Sequence, residues 1–348
     1  MNRKDEHVSL AKAFHSKQKN EFDTVRIVHN PLPEVSMSEI DLHTTVAGLT
    51  LDYPLYINAM TGGSEKTKRI NHDLAMIAKE TNLMIATGSV SAALKDPALS
   101  DSYTIMRDVY PEGKILANVG AGTSLARAKE AIELFQADAL QLHLNAPQEL
   151  VMPEGDRDFS NWKELIKEIS EGISVPLIVK EVGFGMTRET IDELAELGVQ
   201  TIDISGRSGT SFTQIENARR KKRELDYLVD WGQSTVTSLL EANEAQHKVE
   251  ILASGGIRNA FDLFKALCLG ANAVGVSGTI LTHLMTHGVA ETIQLVQQWQ
   301  AELQRLLTMV GAKTIQELHH QPLILSGTTK NWCEARGIPL TKYGTRKK

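Results

Sequence analysis

The chain has 348 residues, a formal net charge of −6 and 42% hydrophobic residues. The mildly acidic, dispersed charge excludes a general nucleic-acid binder, and the length allows one large core. No apolar run approaches the ~18 residues of a membrane span, residues 1–6 are no signal peptide, and the two cysteines, Cys268 and Cys333, lie outside any CxxC or Cys/His cluster, so a soluble cytoplasmic protein with no disulfide or zinc framework is expected.

Residues 1–20 are charged. Arg3, Lys4 and His7 fall close together, and in a helix Arg3 and His7 share a face by i,i+4 spacing. Such a group suits a diphosphate, because charge-assisted bonds to phosphate are strong, although a solvated terminus has the same composition. Residues 22–50, with Pro31, Pro33 and Gly48, predict an irregular lead-in with short strands. From Tyr53 a different rhythm begins. Apolar runs at 53–58, 84–87, 115–119, 139–144, 177–182, 201–204, 249–253 and 273–276 read as strands. Helical patterns lie between them at 67–81, 102–110, 125–136, 162–171, 187–197, 234–242 and 261–269, the last holding Cys268.

Strands alternating with helices imply right-handed βαβ units, and eight repeats predict an α/β fold of the (β/α)8 TIM-barrel type over about residues 53–285. Gly, Ser, Thr and Asn follow the strands, hence line the C-terminal rim where such barrels carry their active sites. The loops after the fourth and sixth strands are long and should cover that rim. Beyond the barrel, 292–309 and 314–319 read as helices, and the tail from Trp332 is polar and basic with an end expected to fray. No low-complexity linker intervenes, so a single domain is expected, with an N-terminal segment 1–50 and C-terminal helices 289–348 as extensions.

Three places carry chemistry. The fourth strand ends in His143, then breaks at Asn145-Ala146-Pro147 into a polar loop with Gln148 and Glu149. Amides and a carboxylate at a strand end suit a hydrated cation and a polar substrate; an ordinary solvated loop can look the same. The runs Ser254-Gly255-Gly256-Ile257-Arg258 and Ser277-Gly278-Thr279 follow the seventh and eighth strands, the usual phosphate site of such barrels. Lys180, inside an apolar strand, needs a partner. A flavin would supply one, and an acid such as Glu181 is the other candidate, although Glu181, being adjacent, points to the opposite face. Thr61, Ser89, Asn118, Ser205 and Thr210 are small hydrogen-bonding residues at strand ends that would suit a flavin's polar edge and ribityl chain.

Together, Arg3-Lys4-x-x-His7, the run from Asn58 through Ala59-Met60-Thr61 to Gly63, the run from Asn145 to Gly155, Val179–Gly185, Ser205-Gly206-x-x-Gly209-Thr210 and Ser254–Arg258 resemble the type 2 isopentenyl-diphosphate isomerases. The resemblance runs from Arg3 past residue 280, and its most specific fragment is QELVMPEG at 148–155. It implies an FMN- and Mg2+-dependent barrel that interconverts isopentenyl and dimethylallyl diphosphate, with NADPH reducing the flavin, and a homo-oligomer, tetramer or octamer. It implies that Arg3, Lys4 and His7 hold the diphosphate, that Glu149 ligates Mg2+, that His143 and Asn145 contact the substrate head, and that Gln148 lies near the allylic carbon. It further implies that Ala59, Met60, Thr61, Ser89, Asn118, Lys180, Ser205, Thr210, Gly255, Gly256, Arg258, Ser277 and Gly278 bind FMN. Two departures concern the cofactor: Ser208 stands where glycine is expected, and Ser277-Gly278-Thr279 is a loose match to the last phosphate loop.

The main alternative is an FMN-linked 2-hydroxy-acid oxidase. Such enzymes carry a base histidine followed by Gly-Gly-Arg after the sixth strand, and this chain reads Ser205-Gly206-Arg207-Ser208-Gly209. An IMP-dehydrogenase-like enzyme needs a rim cysteine, which neither Cys268 nor Cys333 supplies. A non-catalytic phosphate or flavin binder would have no use for Arg3, His7, Gln148 and Glu149 together.

Overall fold

The computed structural model describes residues 3–14 and 20–347, the side chains of Arg3, Lys4 and Ala11 excepted. Eight parallel strands close into a barrel: β1 (Leu55–Ile57), β2 (Met84–Ala86), β3 (Ile115–Gly120), β4 (Ala139–Leu144), β5 (Leu177–Glu181), β6 (Thr201–Asp203), β7 (Glu250–Ser254) and β8 (Ala273–Val276), with β8 pairing back onto β1. This is the (β/α)8 architecture the alternation predicted.

Each strand is buried on both faces, so its side chains divide by period two. Outward residues such as Ile57, Ile85, Val119, Leu142, Val179 and Ile202 join the core beneath the helices. Inward residues form a separate apolar floor of Tyr56, Met84, Leu116, Ala139, Ile178 and Leu252. A hairpin (Thr44–Val46 and Leu49–Leu51) plugs this floor with Val46 and Leu51. Two residues further along the strands the interior turns polar, with buried Asn58, Asn118, Gln141, Lys180, Asp203 and Ser254. His143, Lys180 and Asp203 are in register across β4, β5 and β6.

Several elements differ from the sequence reading. The loop after β4 holds a short helix, Ala146–Val151; Pro147 is tolerated in its first turn, where no intrahelical N–H bond is lost. The long connection after β6 contains the helix Phe212–Arg219, capped by Ser211. A helix Gly278–His287 starts directly after β8. The tail is structured beyond Trp332: helices Gly327–Arg336 and Leu340–Gly344 bury Cys333 and Tyr343, and strand Leu323–Leu325 pairs antiparallel with Val25–Ile27, while the last residue, Lys348, where fraying is expected, lies outside the described residues. Cys268 is buried, as its helical run predicted. Among the described residues no helix is long and apolar enough to cross a membrane.

Candidate active site

The turn from β4 into Ala146–Val151 brings its polar groups onto one another. The Asn145 amide Nδ2 donates to Glu149 Oε1 at 2.8 Å and to Gln148 Oε1 at 3.3 Å. The other Glu149 oxygen accepts the backbone N–H of Asp156 at 3.0 Å. Gln148, buried, donates through Nε2 to Glu216 Oε1 at 3.0 Å. A carboxylate can only accept, so Glu216 turns the Gln148 N–H towards itself and the Gln148 carbonyl back to Asn145.

Glu216 was not singled out in the sequence. It sits fully buried on the Phe212–Arg219 helix, where its Oε1 lies 3.0 Å from His7 Nε2 and its Oε2 accepts from Arg219 at 2.5 Å. Burial alone would raise its pKa; the His7 ring, Gln148 and Arg219 outweigh that and hold it at about 2. Arg219 also reaches Glu154 at 2.6 Å and Glu6 at 3.4 Å. Glu6 and His7 belong to the N-terminal helix Arg3–Phe14, which Asp5 further fastens to Ser64 at the start of the helix after β1. The Arg3 and Lys4 side chains lie outside the described residues.

Below this cluster, Lys180 is buried and donates to the Glu181 carbonyl at 2.5 Å. Burial lowers its pKa, against the opposing charges of Asp203 and Glu181. The Glu181 carboxylate lies on the opposite face and accepts the N–H groups of Val182 and Phe184. His143 Nδ1 lies 2.9 Å from Asn118 Oδ1.

The loops after β6, β7 and β8 interlock. Gly255, at φ +90°, passes so close to Gly206 that a Cβ would sit 2.1 Å from its carbonyl oxygen. Thr279 Oγ1 ties the β8 loop to the Ile257 carbonyl at 2.7 Å. The helix beginning at Gly278 puts its N-terminal dipole at the exit of β8, a favourable place for an anion. The Arg258 side chain is engaged elsewhere, bridging Asp23 at 2.6 Å and Asp262 at 2.7 Å. Ser205 donates its N–H to Asp203, and Ser89 Oγ is 3.1 Å from Ser91 Oγ. Ala59, Met60, Thr210 and Ser277 are partly exposed at strand exits.

A sequence model of the FMN-dependent dehydrogenases matches residues 117–325. The isopentenyl-diphosphate delta-isomerase of Latilactobacillus sakei is 49% identical over 339 residues, covering 97% of this chain and 97% of that protein. The chain belongs to the isopentenyl-diphosphate delta-isomerases. The isomerase of Staphylococcus saprophyticus is 47% identical over 97% of both chains, and that of Staphylococcus aureus 45% identical over 97% of this chain and 96% of its own. Among solved structures, a mutant flavocytochrome b2 with pyruvate bound aligns with a TM-score of 0.68 at 20% identity, covering 93% of this chain and 84% of that one. A mandelate oxidase mutant carrying a monooxide FMN adduct aligns at 0.63 and 15%, covering 92% of each. These two share the fold.

The rim of this isomerase fits a flavin. Thr61 Oγ1 and Thr87 Oγ1, at the exits of neighbouring strands β1 and β2, are buried with no hydrogen-bond partner among the described residues. Orphaned hydroxyls of this kind are costly unless a polar ligand satisfies them. Thr61 was expected from sequence; Thr87 was not. The Lys180 ammonium and the glycine loops complete a set with one cation, hydroxyls and an anion-binding helix start.

Proposed function

We propose that the chain interconverts isopentenyl and dimethylallyl diphosphate at the barrel rim, using reduced FMN and Mg2+. The observation that carries this reading is the convergence of Asn145, Gln148 and Glu149 with Glu216 and His7 at the exit of β4. Shifting the double bond adds a proton to one carbon and removes another from the far side of the double bond, with no net oxidation. When bound, reduced FMN supplies an electron-rich ring that favours positive charge on the carbon skeleton and a nitrogen able to carry a proton, with NADPH needed only to reduce it at the outset.

The protein's own groups do the rest. Glu149 ligates Mg2+, and a single carboxylate beside two amides suits a cation that keeps waters and takes diphosphate oxygens. Gln148, held by Glu216, lies near the allylic carbon. Arg3, Lys4 and His7 bind the diphosphate, His7 from its place 3.0 Å from Glu216. His143 and Asn145 contact the substrate head. FMN is held by Lys180, Thr61, Ser89, Asn118, Ser205, Thr210 and the glycine loops. A cytoplasmic homo-oligomer, tetramer or octamer, completes the reading.

Proton NMR of isopentenyl diphosphate with the FMN-loaded protein, Mg2+ and NADPH is expected to show the allylic isomer; its absence under reducing conditions overturns the proposal. Glu149→Gln should abolish Mg2+-dependent turnover while FMN stays bound. A 2-hydroxy-acid oxidase would be indifferent to that change.

A further inference from the structure

The polar layer of the barrel interior is one directional chain of hydrogen bonds. At one end is Asp203, fully buried on β6. Its carboxylate receives Tyr56 Oη at 2.9 Å, Asn58 Nδ2 at 2.8 Å, Ser254 Oγ at 2.8 Å and the Ser205 N–H at 3.1 Å. A carboxylate accepts and never donates, so Asn58 must turn its NH2 group to Asp203. Asn58 Oδ1 is then left to accept Gln141 Nε2 at 3.1 Å, and it also accepts the Ala59 N–H at 2.8 Å, a bond that reinforces the orientation set at Asp203. Gln141 in turn presents Oε1 to Asn118 Nδ2 at 3.1 Å, and Asn118 presents Oδ1 to His143 Nδ1 at 2.9 Å.

Reversing any one amide sets N–H against N–H on one side and oxygen against oxygen on the other. In a buried site each such mismatch leaves a donor and an acceptor unsatisfied, which is strongly disfavoured. The polarity imposed at Asp203 therefore propagates across β1, β4 and β3 to the imidazole.

We propose that Asp203 is a positioning residue that acts through Asn58, Gln141 and Asn118 to hold His143 in the Nδ1–H tautomer. The neutral ring then has its lone pair on Nε2. At that atom it accepts when neutral and donates only as imidazolium. The consequence for catalysis rests on the reading above that His143 contacts the substrate head; the tautomer itself does not.

The test is 15N NMR of the FMN-loaded protein labelled with 15N-histidine, the His143 signals being assigned by their loss in His143→Gln. The wild type should give the signature of a single Nδ1–H tautomer. Asp203→Asn removes the acceptor-only terminus, and Gln141→Met cuts the chain while leaving Asp203 and its other donors in place, so a folding failure of one variant leaves the other to decide. Both should lose the single-tautomer signature, and a merely structural role for Asp203 would not move it. An Nε2–H ring in the wild type, or an unchanged Nδ1–H signature in a folded variant, overturns the proposal whatever the turnover. Turnover of His143→Gln is the separate measure of the functional reading: full activity there removes the catalytic consequence and leaves the tautomer result standing.

Discussion

Two buried glutamates near the barrel rim meet opposite fates. Glu216, on the helix after β6, has a guanidinium, an imidazole and an amide around its oxygens, and its carboxyl is held at about 2 despite full burial. Glu181, at the end of β5, is pushed up to about 7 by burial, which outweighs the backbone N–H groups of its own turn and the single charge of Lys180. Neighbouring charge, more than depth, decides which carboxyl is held low. The one held low lies in the candidate site, bonded to Gln148. The other closes a turn, with its neighbour Lys180 facing the barrel interior.

The largest expected effect comes from neutralising the paired carboxylate. Glu216→Gln should lower turnover by about 10- to 100-fold, since it orients Gln148 in the way outer partners orient ligands. The wild-type group, with its folded pKa depressed, stabilises the fold above the unfolded value near 4.5 and loses that contribution as pH falls towards 2. The variant should therefore be less stable at pH 7 by on the order of 2–3 kcal/mol, with the gap closing as pH falls through that window. Chemical denaturation across pH would measure it, and a gap independent of pH would break the contrast.

Glu181→Gln should act with the opposite sign. A carboxyl whose folded pKa is raised folds readily when protonated, at or below its ordinary 4.5, and destabilises increasingly as pH rises through about 7. The glutamine oxygen can still accept the Val182 and Phe184 N–H groups. A gain of about 2 kcal/mol at pH 8 that vanishes near pH 4.5 is expected. Denaturation curves that coincide at pH 8 would show that the Glu181 charge is already compensated.

The difference between the two glutamates also marks what the sequence could convey. Lys180-Glu181 stands out because charge inside LIVKEV contradicts an otherwise apolar strand, and the eight strands were legible for the same reason: runs buried on both faces have few polar residues. Glu216 looks like surface charge, since it opens the stretch ENARRKKRE. A signal was present, because Ser211 and Gln214 have the spacing of a helix N-cap, and Ser211 does accept the Gln214 N–H. That would have located the helix, but its inner face follows only from packing against the β4 turn. The pairing of Leu323–Leu325 with Val25–Ile27 joins segments about 300 residues apart, and no local pattern specifies it.

Arg219→Lys sharpens the contrast at smaller cost. Lysine keeps the charge but loses the planar fork that reaches Glu216, Glu154 and Glu6 at once. A loss of about 1–2 kcal/mol is expected at neutral pH, with the acid limb of the stability curve moving to higher pH as Glu216 loses a partner. An unmoved acid limb would assign the depressed carboxyl to His7 and Gln148 instead.

The smallest effect concerns the loop that leads to Glu216. Ser208, where glycine was expected, has φ +92°, in the region that L side chains rarely adopt. A Cβ added to Gly256 would lie 3.1 Å from the Ser208 Cβ, so the two loops approach closely here because Gly256 has no side chain. Such a conformation costs about 1–2 kcal/mol, against about 0.5–1 kcal/mol for the extra entropy glycine loses on folding. Ser208→Gly should therefore raise stability by about 0.5–1 kcal/mol, a Tm rise of a few degrees at most, with turnover unchanged. If turnover fell while stability rose, the strain would belong to the cofactor site, and the loop after β6 would serve function at two points, Ser208 and Glu216.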